Sequence, residues 1–175
     1  MGEMSSMTVV LLLTFIAHLI PFWPVPYIPA IVAYVAVYPE KFLLISLLSG
    51  IAAAVGKSLL FLLIRSGVIL MKVKEIKIKK IIYPDLFLFT VALTPLPEEL
   101  ALFPLALTEY PIERFFALMF FGKVIMIGIC AVYGKLLSSF LYELPKLQIA
   151  IISFLSTLIL TLLLEKIPKI VKKQN

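Results

Sequence analysis

Apolar residues run in blocks along this chain, and the blocks are interrupted by proline, glycine or short bursts of charge. Those at 42–70, 115–140 and 147–167 are long enough to cross a bilayer core of about 30 Å as helices rising about 1.5 Å per residue. Those at 7–19, 27–37, 81–93 and 100–107 are too short, the first reaching only roughly 20 Å. The short blocks come in pairs. Pro21, Pro24, Pro26 and Pro29 break the first pair, and Thr94-Pro95-Leu96-Pro97-Glu98-Glu99 breaks the second. Two short apolar arms around such a break predict a re-entrant helical hairpin. A single kinked span is the alternative for 7–37.

The interruptions repeat. Pro24-x-Pro26, Tyr38-Pro39, Gly50 and Gly56 are followed by Pro95-x-Pro97, Tyr110-Pro111, Gly122 and Gly128, with identical spacing from Tyr-Pro through both glycines. A duplication carrying broken helices is a sequence pattern of many transporters. The expected fold is therefore an all-α integral membrane protein in one domain, 1–175. Repeat one covers about 7–70, a basic linker 71–80 and repeat two about 81–140. Each repeat is a re-entrant hairpin followed by a transmembrane helix. A last transmembrane helix at 147–167 and a basic tail at 168–175 complete the chain. The glycines are expected to let helices approach closely.

Composition agrees: 62% of the 175 residues are hydrophobic and 15% charged. The net charge of +6 does not point to nucleic acid, because the lysines gather just past apolar blocks, at Lys72, Lys74, Lys77, Lys79 and Lys80 and again at Lys166, Lys169, Lys172 and Lys173. Positive flanks of that kind belong on the cytoplasmic side. Glu40-Lys41 and the turn at Glu143 and Lys146 then face outward, and the two repeats are inverted with respect to each other. The expected location is the cell membrane, multi-pass, with a cytoplasmic C-terminus. Met1–Met7 lacks the basic start of a signal peptide, so none is expected. The single Cys130 excludes an internal disulfide.

Backbone freed at a hairpin tip must be buried in protein or line a wet cavity. Ionisable residues at that depth are costly and are usually functional. Glu98 and Glu99 sit at the second tip, Lys57 lies midway along 42–70, and Lys123 lies within 115–140. They form either structural ion pairs or a proton relay and headgroup site. Arg65 and Arg114, at the expected cytoplasmic ends, are either interfacial anchors or a bidentate grip on a lipid phosphate. His18 is read as a hydrogen-bonded structural residue, with a titrating one as the alternative. Trp23 and Tyr27 are read as packing or interface aromatics, and Glu109 and Glu113 as complements to a helix start. No metal spacing, P-loop, dinucleotide turn or nucleophile elbow is present, so neither an enzyme nor a cofactor or metal is expected.

Over about residues 21–135 the arrangement resembles the DedA family of the VTT (SNARE-associated) superfamily, whose members carry two re-entrant hairpins, each followed by a spanning helix. Gly56 and Arg65 match that family's first long helix, with Phe61 in place of tyrosine, Ile64 in place of glycine and Lys57 where an acid is usual. The second tip carries Glu98 and Glu99 where the family has arginine, and the first tip lacks its acid. Together these departures suggest a reversed charge pair, Lys57 with Glu98 or Glu99. The resemblance implies translocation of lipid, as a polyprenyl-phosphate flippase or a phospholipid scramblase, with protons as coupling ion and a homo-oligomer allowed. On that reading Arg65, Arg114, Lys57 and Lys123 hold the phosphate, Glu98 and Glu99 relay protons or gate, and Pro24, Pro26, Pro95 and Pro97 shape the tips. The alternatives are a proton-driven exporter of small solutes or drugs, or a membrane assembly factor that transports nothing.

Overall fold

The computed structural model describes residues 3–21, 26–70, 83–94 and 98–171. Pro24, Pro95, Pro97, Trp23, the basic linker 71–80 and the last lysines of the tail lie outside the described residues. Within them the protein is all-α, with no strand. Seven helices follow in order: α1 Glu3–Leu19, α2 Tyr27–Val37, α3 Phe42–Leu70, α4 Pro84–Leu93, α5 Glu99–Ala106, α6 Ile112–Leu141 and α7 Lys146–Val171. A 3-10 turn at Pro39–Lys41 leads into α3.

Local chemistry explains the boundaries. Proline cannot donate a backbone hydrogen bond, which is harmless in a helix's first turn. Pro84 accordingly opens α4, and Pro111, in extended conformation, stands just before α6. Thr94 closes α4, its hydroxyl donating to the Thr90 and Val91 carbonyls at 3.1 and 3.2 Å. These bonds occupy carbonyls that a helix end leaves without partners.

Both short pairs fold back as hairpins, and each hairpin is pinned at its base. Glu3 at the start of α1 meets Lys41, beyond the end of α2, at 3.2 Å. Asp85 in the first turn of α4 accepts a 2.6 Å hydrogen bond from Tyr110, beyond the end of α5. Val10 of α1 shares a core with Tyr34 and Val35 of α2. The arms 7–19 and 27–37 therefore lie as two antiparallel helices and not as one kinked span.

The long helices α3 and α6 pack on each other at the centre. Around them the packing is reciprocal: α1 lies on α3 and α4 on α6, while α2 crosses to α6 and α5 to α3. Helix α7 covers α2. Close approach depends on glycine. A Cβ at Gly50 would fall 2.4 Å from a Val124 methyl, at Gly56 2.7 Å from the Phe15 carbonyl, and at Gly122 2.6 Å from the Ala92 Cβ. Gly128 is different, since a Cβ there would meet nothing within 4 Å. Its place is taken by Gly134, which the repeat did not single out and which seats α2 at the Val32 carbonyl. The glycines thus serve the same kind of contact in both halves, but at different turns of the helix.

Two apolar cores result. One joins Phe61 of α3, Leu88 and Ala92 of α4, Leu102 and Leu105 of α5 and Phe115 of α6. Phe61 and Phe115 stack at 4.3 Å. The other joins α1 and α2 to Ile45 of α3 and to Ile127 and Ala131 of α6. Helices α3 and α6, of 29 and 30 residues, are long and apolar enough to cross a membrane. Much of their outward surface is bare hydrocarbon, including Leu43, Leu47, Leu63, Phe121, Ile129 and Phe140.

Candidate functional site: a buried charge cluster where the hairpins meet

Between the two cores lies a group of charged side chains. Lys57 falls between Ala54 and Phe61 on α3, and Lys123 between Met119 and Ile127 on α6. They are only 3% and 1% exposed, and Glu98 and His18 are 8% and 2% exposed. An isolated ion in such a place would cost many kcal/mol, so burial is tolerable only with partners.

The partners come from both hairpins. The Lys123 ammonium is ion-paired with Glu98 Oε1, just before α5. The Tyr27 hydroxyl at the start of α2 also interacts with it electrostatically, and the ammonium points at the Met126 sulfur at 3.6 Å. Lys57 donates to Glu99 Oε1 at 2.9 Å and sits 3.4 Å from Glu98 Oε2. His18, one residue before the end of α1, brings its Nε2 to 3.6 Å from Glu98 Oε1. Its Nδ1 lies 2.7 Å from the Thr14 carbonyl, and its ring meets Tyr27 edge-on at 4.7 Å. Glu98 is therefore the hub, touched from α1, α3 and α6. Its Oε2 is buried with no hydrogen-bond partner.

This convergence follows from the packing described above. Gly56 seats α1 on α3, and a Cβ there would lie 3.3 Å from the His18 Cβ. The next residue along α3 is Lys57. On the opposite side α5 lies against α3, and its first turn delivers Glu98 and Glu99 to the same spot. The sequence pattern anticipated a Lys57 pairing with Glu98 or Glu99, and Lys57 contacts both. It also set Lys123 among the amines that could neutralise the two acids, without singling it out as the closest partner of Glu98, and it did not place His18 in the cluster.

Arg65 and Arg114 stand apart. The Arg65 guanidinium donates to the carbonyls of Ala106 at 3.5 Å, Thr108 at 2.9 Å and Tyr110 at 2.7 Å, and lies 4.5 Å above the Phe61 ring. It thereby satisfies backbone oxygens released where α5 ends. Arg114 is exposed in the first turn of α6. Nearby, burial and the Asp85 hydrogen bond push the Tyr110 phenol well above its ordinary range, so the hinge between α5 and α6 keeps its proton. Pro26 is exposed, immediately before α2.

Among the described residues no three His, Cys, Asp or Glu side chains gather in a metal-binding arrangement. What the cluster offers chemically is two ammonium groups held by two carboxylates, with an imidazole at the edge. Any change in one partner releases another. No family model, curated protein or solved structure matches the chain.

Proposed function

We propose that this protein is an integral membrane transporter of the DedA/VTT type that carries a phosphate-headed lipid across the bilayer in exchange for changes of protonation within the buried cluster. The carrying observation is the cluster's position: five polar side chains from four helices converge inside a bundle whose outside is apolar. A soluble protein arranges its surface and interior the other way round. In a bilayer, ionisable groups facing the bundle interior are the usual mark of a transport path.

Dimensions support membrane insertion. Polar contacts gather at two ends of the bundle. One end holds Glu3 with Lys41, Lys135 over the Phe42 ring and Lys146 over the Tyr38 ring. The other holds Arg65, Asp85 and Tyr110. From Lys41 to Arg65 the helix rises about 36 Å, which brackets a hydrocarbon core of about 30 Å. Lys57 lies inside that slab, about 12 Å from Arg65. The reciprocal packing of α1 and α2, and of α4 and α5, on α3 and α6 suits two repeats related by inversion.

The chemistry is one of exchanged partners. While Glu98 and Glu99 are ionised they occupy Lys57 and Lys123. A proton on either carboxylate releases an ammonium, and a phosphate headgroup takes the vacated place. The acyl or prenyl tails stay in lipid outside the bundle. Arg114, exposed at one end, provides a first stop for the headgroup, and Arg65 holds the α5 end rigid. The C-terminus is cytoplasmic on this reading.

Reconstitution tests it. Vesicles holding the protein and a trace of lipid with a fluorescent tail are assayed for loss of leaflet asymmetry to a membrane-impermeant quencher, with and without a pH gradient. The protein is expected to accelerate movement, and Lys57→Gln and Lys123→Gln to abolish it while the bundle remains folded. Movement equal to that in protein-free vesicles, for polyprenyl phosphate and phospholipid alike, defeats the proposal.

A further inference from the structure

We infer that His18 and Glu98 together bind the one exchangeable proton of the cluster, and that this proton makes the site selective for a monoanionic headgroup, a phosphodiester, moved one-for-one with it. The inference rests on the transport reading above and adds the proton's location, the stoichiometry and the substrate's charge.

The tautomer comes first. A backbone carbonyl can only accept, so the 2.7 Å contact with Thr14 places a hydrogen on His18 Nδ1. When the ring is neutral, Nε2 then carries a lone pair, and that lone pair faces Glu98 Oε1 at 3.6 Å. This spacing is wider than a hydrogen bond and suits two acceptors with no proton between them. A proton arriving on Nε2 turns the contact into an attractive, charge-assisted one. Glu98 Oε2, buried without a hydrogen bond but 3.4 Å from the Lys57 ammonium, is the alternative seat for the same proton, which would displace that ammonium.

Charge balance gives the stoichiometry. The ionisable groups facing this point are Lys57 from α3, Lys123 from α6, Glu98 and Glu99 from the start of α5, and Tyr27 from α2, with Cys130 of α6 beyond Tyr27. Two ammonium groups balance two carboxylates, so with His18 neutral the cluster carries no net charge. A proton gives it one positive charge in surroundings that tolerate none unpaired. A monoanion cancels that charge. A dianion would leave the opposite excess and would be disfavoured for the same reason. The loaded and empty sites are then both neutral, and the cycle carries no net charge across the bilayer.

The chain contains a single histidine, so its ring can be observed alone. With isotope-labelled histidine in lipid nanodiscs, nitrogen and carbon shifts report the tautomer directly. The expected neutral form carries its hydrogen on Nδ1, acidification adds the second hydrogen on Nε2, and the Nε2 signal moves in Glu98→Gln because Oε1 faces that nitrogen. A neutral Nε2–H ring, or an Nε2 signal unmoved in Glu98→Gln, overturns the proton site in the native chain, whether or not transport is seen. The stoichiometry is tested in phosphatidylcholine vesicles with tail-labelled phosphatidylglycerol and an internal pH dye. One proton is expected to accompany each lipid. Movement should follow a pH gradient, ignore an imposed membrane potential, and lose its pH dependence in His18→Asn, which can still donate to Thr14. Lipid movement that responds to potential but not to pH, or is unchanged in His18→Asn, overturns the inference and leaves the transport reading intact. Uptake of inorganic phosphate with one proton, without lipid movement, overturns the lipid reading and upholds the proton–monoanion coupling.

Discussion

Glu98 is the residue on which the cluster depends, because Lys123, Lys57 and His18 all face it. Replacing it with glutamine keeps the shape and removes the charge, leaving Lys123, 1% exposed, without its counter-ion. Breaking a buried pair from one side costs about 3–5 kcal/mol, whereas replacing both partners by neutral groups can be nearly free. Glu98→Gln is therefore expected to destabilise by about that much, and Lys123→Met by less, since Glu98 loses its nearest partner but keeps Lys57 at 3.4 Å. The double variant should recover most of the loss. Thermal or denaturant unfolding in detergent of all four proteins closes the cycle, and simple addition of the two single losses would show that the pair is not coupled. A recovered double variant that folds but moves no lipid would separate the cluster's functional role from its structural one. Arg65 sits at the other extreme. Its guanidinium is spent on three backbone carbonyls, so Arg65→Lys, with a point charge in place of a planar fork, is expected to loosen the α5 end.

At the scale of elements, glycine decides which helices touch. Gly122→Ala is expected to push α4 away from α6, because its new methyl falls 2.6 Å from the Ala92 Cβ and 3.2 Å from the Ala92 backbone. Overpacking of this kind costs about 1–3 kcal/mol. Gly128→Ala meets open space and should gain up to about 1 kcal/mol from helix propensity. Equal effects in unfolding measurements would contradict the packing. The same comparison marks what the sequence could and could not disclose. Helix limits were legible because prolines and charges bound them: α2 and α3 span the expected 27–37 and 42–70, and α6 starts at Ile112 instead of 115 because Pro111 precedes it. Helix α1 begins earlier than the apolar block, at Glu3, where Lys41 draws the acidic residue in. A lysine deep in an apolar run announces a buried partner, so Lys57 could be matched to the second tip. Membership of His18 could not be read, because it follows from α1 resting on Gly56, a contact between helices that no spacing along one helix encodes. Arg65 likewise could not be assigned to carbonyls, since nothing in its own neighbourhood of the chain says where α5 will end.

On the scale of the whole molecule, the apolar exterior, two polar ends and charged centre of the described residues suit a bilayer, and the proposed reading implies a topology open to direct measurement. The end marked by Glu40, Lys41 and Glu143 faces outward on the proposed reading, and the end marked by Glu109, Glu113 and Arg114 faces the cytoplasm. Replacing Cys130 with alanine removes the one native thiol. Single cysteines are then placed at Glu40, Glu143, Glu109 and Glu113, of which Glu40, Glu143, Glu109 and Glu113 are all exposed. In intact cells a membrane-impermeant maleimide should label the first two without permeabilisation and the last two only after it. Inversion of the repeats makes a sharper demand. Glu40 and Glu113 each lie just beyond a Tyr-Pro pair, one residue apart in the register of the duplication. Repeats with parallel topology would put those two positions on the same side, and inverted repeats put them on opposite sides. Labelling of both from one side would therefore remove the inverted repeat. With it would go the physical basis for hairpins entering from opposite leaflets to meet at Glu98. Labelling from opposite sides is expected on the proposed reading, because Arg65 donates to the Tyr110 carbonyl, close to Glu113, while Lys41, next to Glu40 at the foot of α3, lies about 36 Å away along that helix.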